Sequence, residues 1–269
     1  MNITWDVALE DWSDWLIAAG RARSTVRLRC YQVGRLRIAV EPGGPWDVTA
    51  DDLVRWLARQ QWDADTRRGH RAAVRSFYGW AVATGRLDRD PAAHLPSTPA
   101  KPGRPRPAPE DAIRQALASA DERDALLIRL GAEAGLRACE MATCHRDRLT
   151  RAIDGWQLEV IGKGGKHRIV PLGDGLAAAL RRQGPGWTFP GRQSGHLSAA
   201  YISKRLARVL PGALTGHTLR HRFGSAAYFH ERDLRAVQTL LGHASPATTA
   251  RYVAVPDGAL RRAVLAVAA

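Results

Sequence analysis

The sequence predicts a mainly α-helical protein with a small antiparallel sheet, and three observations lead to this fold class. Apolar residues recur at helical spacing through residues 1–95. A proline-rich stretch at residues 96–109 then interrupts any regular structure. Beyond it, helical segments surround one hairpin, in which residues 156–161 alternate, 162–165 turn and 167–172 return.

The chain has 269 residues, which is enough for two medium domains that each have a core. We expect a helical domain at residues 1–95, an extended linker at 96–109 and a second domain at 110–269. Alternating prolines in the linker favour polyproline II and prevent a helix or strand from continuing through it.

The first domain is predicted to be a bundle of four helices. The first helix ends at Gly20, because glycine tolerates the left-handed backbone that closes a helix. Ser24 is expected to cap the second helix. Thr49, with Asp52 at its N3 position, caps the third, and the fourth covers residues 65–84.

The second domain is predicted to be helical around the hairpin. Gly135 ends one helix, and Arg137 stands at the start of another short one. Ser245 and Pro246 form an N-cap and N1 pair for a helix carrying Tyr252. The remaining predicted helices cover residues 112–120, 123–134, 175–182, 199–209, 217–230, 233–241 and 258–268.

The chain is strongly basic, with 40 Lys and Arg against 26 Asp and Glu and a formal net charge of +14. Such a balance indicates a polyanionic partner, with nucleic acid the leading candidate. A GC-rich coding sequence would also favour arginine over lysine. It would not explain the excess of bases over acids.

Much of this charge lies on the predicted second and fourth helices and in the linker. These faces could be merely solvated, but we expect them to contact DNA phosphates, because few acids stand nearby to pair with them. The predicted DNA-binding residues are Arg27, Arg29, Arg35, Arg37, Arg67, Arg68, Arg71, Arg75, Lys101, Arg104, Arg106 and, from the hairpin, Lys166.

Six residues in the second domain stand in a characteristic order. His217 and Arg220 are one helical turn apart, and each of the six alone is a weak signal. The ordered set is Arg137, Lys163, His217, Arg220, His243 and Tyr252. This order, from the Ala-Gly-Leu-Arg box through the Gly-Lys-Gly hairpin to Leu-Gly-His and the tyrosine, resembles the phage integrase family of tyrosine recombinases. The resemblance covers at least residues 131–253.

The resemblance implies an N-terminal, SAM-like core-binding bundle and a mixed α/β catalytic domain with a small antiparallel sheet, joined by a basic linker. The sequence departs from the family pattern at residues 141–147, where leucines and a tryptophan usually stand. The chain looks like the minimal two-domain form, similar to Xer-type recombinases and small phage integrases.

The residue types suit attack on a phosphodiester. Arg137 and Arg220 can each bind two phosphate oxygens, and His243 can donate a further hydrogen bond. Tyr252 is the candidate nucleophile, and because its free pKa is about 10 it needs a base. The resemblance implies that His217 is that base.

Two further roles rest on the same resemblance. Lys163 matches the family lysine that protonates the leaving oxygen, with Lys166 as the alternative. Glu140 is expected to orient the arginines or histidines from behind.

The implied function is site-specific DNA recombination through a 3′-phosphotyrosyl intermediate and a Holliday junction, with a homotetramer on two duplexes of double-stranded DNA. Neither a cofactor nor a metal is expected, since the covalent link conserves the bond energy. An accessory directionality factor would be a further partner. The alternatives are a type IB-like topoisomerase and a non-catalytic DNA-binding regulator on the same fold.

The three cysteines, Cys30, Cys139 and Cys144, fit neither a zinc site nor a disulfide framework. We expect them to be reduced and mostly packed in a cytoplasmic, nucleoid-associated protein of phage or bacterial origin. No apolar run approaches the length needed to span a membrane, so no membrane partner is expected.

Overall fold

A computed structural model describes residues 3–40, 43–99, 105–162, 165–192 and 194–242. These residues fall into two compact units, divided after residue 101. Helices dominate both units and strands are few, which confirms the predicted fold class. In the part of the chain that the structure describes, no helix is long and apolar enough to cross a membrane.

The N-terminal unit contains four helices around an aromatic core. Trp12 and Phe77 are fully buried and meet edge to face, with ring centroids 5.3 Å apart. The helices are α1 (Trp5–Ala18), α2 (Arg23–Val40), α3 (Ala50–Ala58) and α4 (Ala64–Ala83).

Two predicted caps in this unit have different outcomes. Thr49 and Asp52 exchange side-chain and backbone hydrogen bonds at the start of α3, which confirms the predicted capping box. The prediction that Ser24 caps α2 is wrong, because α2 begins one residue earlier at Arg23.

The C-terminal unit packs its helices around α6, whose Leu127, Ile128 and Leu130 are fully buried. Helix α10 crosses α6 and carries two of the predicted catalytic residues. The helices are α5 (Glu110–Ser119), α6 (Glu122–Ala132), α7 (Ala138–Ala142), α8 (Asp174–Arg182), α9 (Ala199–Val209), α10 (Gly216–Glu231) and α11 (Leu234–Leu241).

A three-stranded antiparallel sheet of order β1-β2-β3 lies beside these helices. The predicted hairpin is present as β2 (Gly155–Ile161) and β3 (His167–Leu172). The first strand, β1 (Leu149–Ala152), was not predicted, because four residues with one buried side chain give too little alternation to recognise. A short ladder joins β4 (Pro190–Gly191) to β5 (Gly195–His196).

One glycine fixes how the chain enters the candidate site. Gly135 has φ +64°, and a Cβ there would lie 2.4 Å from the ring of Phe223 on α10. No other residue fits this turn without displacing that ring. The turn places Arg137 at the start of α7, as the sequence predicts.

Candidate active site

Glu140 is the centre of a cluster of arginines in the C-terminal unit. Its side chain is buried, and its Oε1 accepts hydrogen bonds from Arg137 Nη1 at 2.8 Å and Arg168 Nη1 at 2.6 Å. Its Oε2 accepts from Arg168 Nη2 at 2.9 Å and lies 3.7 Å from Arg220 Nη1. One carboxylate therefore holds three guanidinium groups from separate parts of the chain.

The local structure of α7 explains why Glu140 can be buried and charged. It stands at the N3 position, where its Oε2 accepts the backbone N–H of Arg137 at 2.8 Å. Burial alone would raise the pKa of Glu140. The bonds from Arg168 and from that N–H, with the positive charges of Arg168 and Arg220, lower the pKa overall.

Arg220, on α10, is completely buried, which is rare for arginine unless it is paired. It donates hydrogen bonds to the carbonyls of Gly135 and Leu241. One side chain thus ties α10 to the turn before Arg137 and to the end of α11.

His217 lies one turn before Arg220 on α10 and remains accessible to solvent. Partial burial of the ring, and then the positive charges of Arg220 and Arg137, lower the pKa of His217 from its ordinary value of 6.5. The imidazole is therefore neutral at pH 7 and able to accept a proton. Its ring meets that of His221 edge to face at 5.1 Å.

Arg168 was not predicted as a site residue, although the sequence carries a signal for it. On β3 it is in phase with Val170 and Leu172, whose side chains are buried, so it faces inward. A charged residue at an inward position of a strand indicates a buried ion pair. Only 10% of the Arg168 side chain is exposed.

Several predicted site residues lie outside the described part of the chain: Lys163, His243, Tyr252, Lys101 and Arg104. The predicted helix carrying Tyr252 and the predicted helix at 258–268 lie outside it too. Gly162 and Gly242, which directly precede Lys163 and His243, are described. Lys166 is exposed, and its carbonyl accepts the Gly162 N–H at 2.7 Å.

Among the predicted DNA-binding arginines of the bundle, five are half-buried and bonded to the protein itself. The expectation that few acids stand near these arginines is wrong in part, because Asp6 on α1 pairs with Arg37 and Asp65 pairs with Arg68. The other bonds of this group run from Arg29 to Ser76, from Arg67 to the carbonyls of Leu57 and Gln60, and from Arg71 to the carbonyl of Leu95.

The remaining basic residues are directed to solvent. Arg27, Arg35 and Arg75 are exposed on α2 and α4, and Arg106 is exposed before α5. Contact with DNA phosphates stays a prediction for both groups. The exposed residues could bind a phosphate without first breaking a bond within the protein.

The thiols are free, but they do not share one environment. Cys144 is buried, and burial raises its pKa to about 11, whereas Cys30 is half-buried and Cys139 is exposed. Among the described residues, no group of three or more His, Cys, Asp or Glu side chains could hold a metal ion.

Comparison with known proteins gives the class that this geometry indicates. Residues 108–258 match the model of the phage integrase family. Tyrosine recombinase XerC of Rhodospirillum centenum is 35% identical over 292 aligned positions, covering 92% of this chain and 82% of the relative. Tyrosine recombinase XerC of Xanthomonas campestris is 36% identical over 202 aligned positions, covering 67% of this chain and 61% of the relative.

A solved structure shares the fold. The lambda integrase tetramer bound to a Holliday junction aligns with a TM-score of 0.74 at 18% identity, over 94% of this chain and 78% of that one. The chain belongs to the phage integrase family. Within it, the chain is a tyrosine site-specific recombinase, like the two XerC relatives above.

Proposed function

We propose that this recombinase cleaves double-stranded DNA with Tyr252 as the nucleophile. The phenol oxygen attacks a scissile phosphate, the bond to the 5′ oxygen breaks, and a 3′-phosphotyrosyl link forms. The free 5′-hydroxyl of a partner strand then attacks that link and releases the tyrosine. Each step exchanges one phosphate ester for another, so the bond energy is retained.

The observation that carries this proposal is the convergence of Arg137 and Arg220 on Glu140. A phosphodiester is anionic, and attack by the tyrosine oxygen adds a second negative charge, which positive groups in the site must stabilise. Glu140 orients Arg137 through its head group and its backbone N–H, at 2.8 Å each. Fixed guanidinium groups lose little freedom when they bind the phosphate oxygens.

Proton transfers complete the chemistry. His217, whose pKa is lowered, takes the proton from Tyr252. Lys163 gives a proton to the departing 5′ oxygen, and His243 donates a hydrogen bond to a nonbridging oxygen. Lys166 contributes to DNA binding beside the hairpin.

The proposed assembly is four protomers on two duplexes, which exchange strands through a Holliday junction. Lambda integrase, which shares the fold, binds a Holliday junction as a tetramer, and the net charge of +14 on this chain suits a large phosphate surface. The enzyme would act at the bacterial or phage DNA in the cytoplasm, with an accessory factor setting the direction.

The nucleophile is tested with a nicked suicide duplex that traps the covalent adduct. Tyr252→Phe is expected to bind the site normally and to form no adduct, because it lacks only the attacking oxygen. Tyr201→Phe is the matched control, since Tyr201 is an exposed tyrosine on α9 in the same unit, and it should form the adduct at the wild-type rate.

Three outcomes would contradict the proposal. A phosphotyrosine adduct on Tyr252→Phe would remove the assignment of the nucleophile. Relaxation of supercoiled plasmid without exchange between two sites would indicate the topoisomerase, and binding without any cleavage would indicate the regulator.

A further inference from the structure

Arg168 connects three parts of the candidate site through its guanidinium group. Two of its nitrogens bond both oxygens of Glu140, at 2.6 and 2.9 Å. The third, Nε, donates to the carbonyl of Leu240 at 2.9 Å, near the end of α11. Because the group is planar and rigid, these bonds fix β3, α7 and α11 relative to one another.

The Arg168 side chain also lies near two glycines that stand directly before proposed catalytic residues. A Cβ at position 242 would lie 3.0 Å from Arg168 Cδ, and Gly242 has φ +60°. A Cβ at position 162 would lie 3.4 Å from Glu140 Oε1 and 3.8 Å from Arg168 Nη1. The backbone therefore passes close to the Arg168–Glu140 pair just before Lys163 and again just before His243.

The charge of Arg168 has a consequence of its own. Arg137, Arg168 and Arg220 share the single carboxylate of Glu140, which leaves the cluster with a net charge of two positive. Without Arg168, Glu140 would cancel one of the two phosphate-binding guanidinium groups. Arg168 thus keeps both available for the developing charge.

We propose that Arg168 is a positioning residue for strand cleavage: by bonding Glu140 and Leu240 and lying beside Gly162 and Gly242, it aligns Lys163, His243 and the two phosphate-binding arginines. This inference rests on the proposed function. Arg168 touches no reacting atom, and it acts through the residues that do.

The test compares Arg168→Gln and Arg168→Lys with a matched ion pair in the same unit. Arg205→Gln is the control, because Arg205 is 17% exposed and bonds Asp121 at 2.7 Å and the buried Asp124 at 2.9 Å, at the contact of α9 with α6. Loss of either pair should reduce the free energy of unfolding. Of the two Gln variants, only Arg168→Gln should slow adduct formation, by about 10²-fold, since misalignment near the chemistry is costly.

A modified substrate separates positioning from general loss of structure. A 5′-bridging phosphorothiolate has a leaving group that needs no acid, so it should restore part of the rate of Arg168→Gln by removing the need for an aligned Lys163. Arg168→Lys keeps the charge but cannot form all three bonds, and its rate should fall between wild type and Arg168→Gln. No recovery with the phosphorothiolate, or equal rates for Arg168→Gln and Arg205→Gln, would overturn the inference.

If Arg168→Gln does not fold, a second pair of variants tests the same inference without changing Arg168. Gly242→Ala and Gly212→Ala impose the same backbone strain, because their φ angles are +60° and +62°. A Cβ at 212 has no neighbour within 4 Å, whereas one at 242 presses on Arg168. Gly242→Ala should slow cleavage about tenfold more than Gly212→Ala, and equal rates would count against Arg168. If the wild-type protein forms no adduct, the proposed function fails instead.

Discussion

At the scale of single residues, the site depends on a buried carboxylate and on the protonation of one histidine. Burying a charge destabilises the fold unless the charge is paired, and hydrogen bonds from Arg137 and Arg168 stabilise the buried carboxylate of Glu140. Removing one partner of such a pair is more harmful than the pair is stabilising, because the other charge stays buried. His217 stands beside this cluster, and partial burial, followed by the positive charges of Arg220 and Arg137, lowers the pKa of its ring.

The pKa of His217 predicts the acid side of the pH profile. Cleavage needs the neutral imidazole as base, so the rate should decline only below pH 6.5, because the folded-state pKa lies below that value. His217→Asn should lose this acid limb and slow cleavage by about 10²-fold. His230→Asn, at the other end of α10, is the control and should keep both the rate and the limb.

Protonation of His217 should also lower the stability of the fold as pH falls. The unfolded chain binds this proton more tightly than the folded one, so the contribution of His217 to stability is complete above pH 6.5 and declines as pH falls. An acid limb with its midpoint above 6.5, or one that persists in His217→Asn, would contradict this role. Single-turnover adduct formation from pH 5 to 8 gives the measurement.

At the scale of elements, helices α2 and α4 carry two kinds of arginine that look identical in the sequence. Those bonded within the bundle hold loops and neighbouring helices, as Arg71 does with two bonds to the Leu95 carbonyl at 3.1 and 2.7 Å. Arg27, Arg35 and Arg75 are exposed. The two kinds should therefore differ in what they contribute to folding and to DNA binding.

Alanine substitutions should separate these two groups. Arg27→Ala, Arg35→Ala and Arg75→Ala should each leave the free energy of unfolding unchanged. Each should weaken DNA binding and reduce the slope of log K against log salt by about 0.9 per lost phosphate contact. Arg71→Ala should cost about 1–2 kcal/mol of stability, since a carbonyl loses a charged partner. Unchanged slopes for all three exposed variants would mean that this face does not bind DNA.

At the scale of the whole molecule, the described residues form two units that each have their own hydrophobic core. Trp12, Leu36 and Phe77 belong to the first, and Leu127 and Leu130 belong to the second. A unit with a core of its own can fold alone. Arg71 and Leu95 bond within the first unit, whereas Ala108 is buried in the second and its N–H bonds the Thr218 carbonyl on α10.

A fragment of residues 102–269 should therefore keep its helical circular dichroism and a cooperative thermal transition. It should also bind DNA with a shallower salt dependence than the full chain, because the basic helices of the first unit are gone. Arg205→Gln in the fragment should lower its transition temperature as it does in the full chain. An unfolded fragment would show that the second unit depends on the first for folding. An unchanged salt slope would show that only the second unit binds DNA.

The sequence alone determined the features that depend on neighbours along the chain. Helical periodicity, the Thr49–Asp52 capping box, the glycine turn before Arg137 and the hairpin ending in β3 all follow from residues a few positions apart. The motif order also identified the family, since the order of residues along the chain is a property of the sequence itself.

Tertiary structure alone decided which charges meet. That Arg168 belongs with Glu140, that Arg71 holds a carbonyl while Arg75 stays exposed, and that β1 joins the sheet all depend on contacts between distant segments. A guanidinium group has the same composition whether it pairs, packs or remains in water, and only the folded chain sets the distance and burial that distinguish these states.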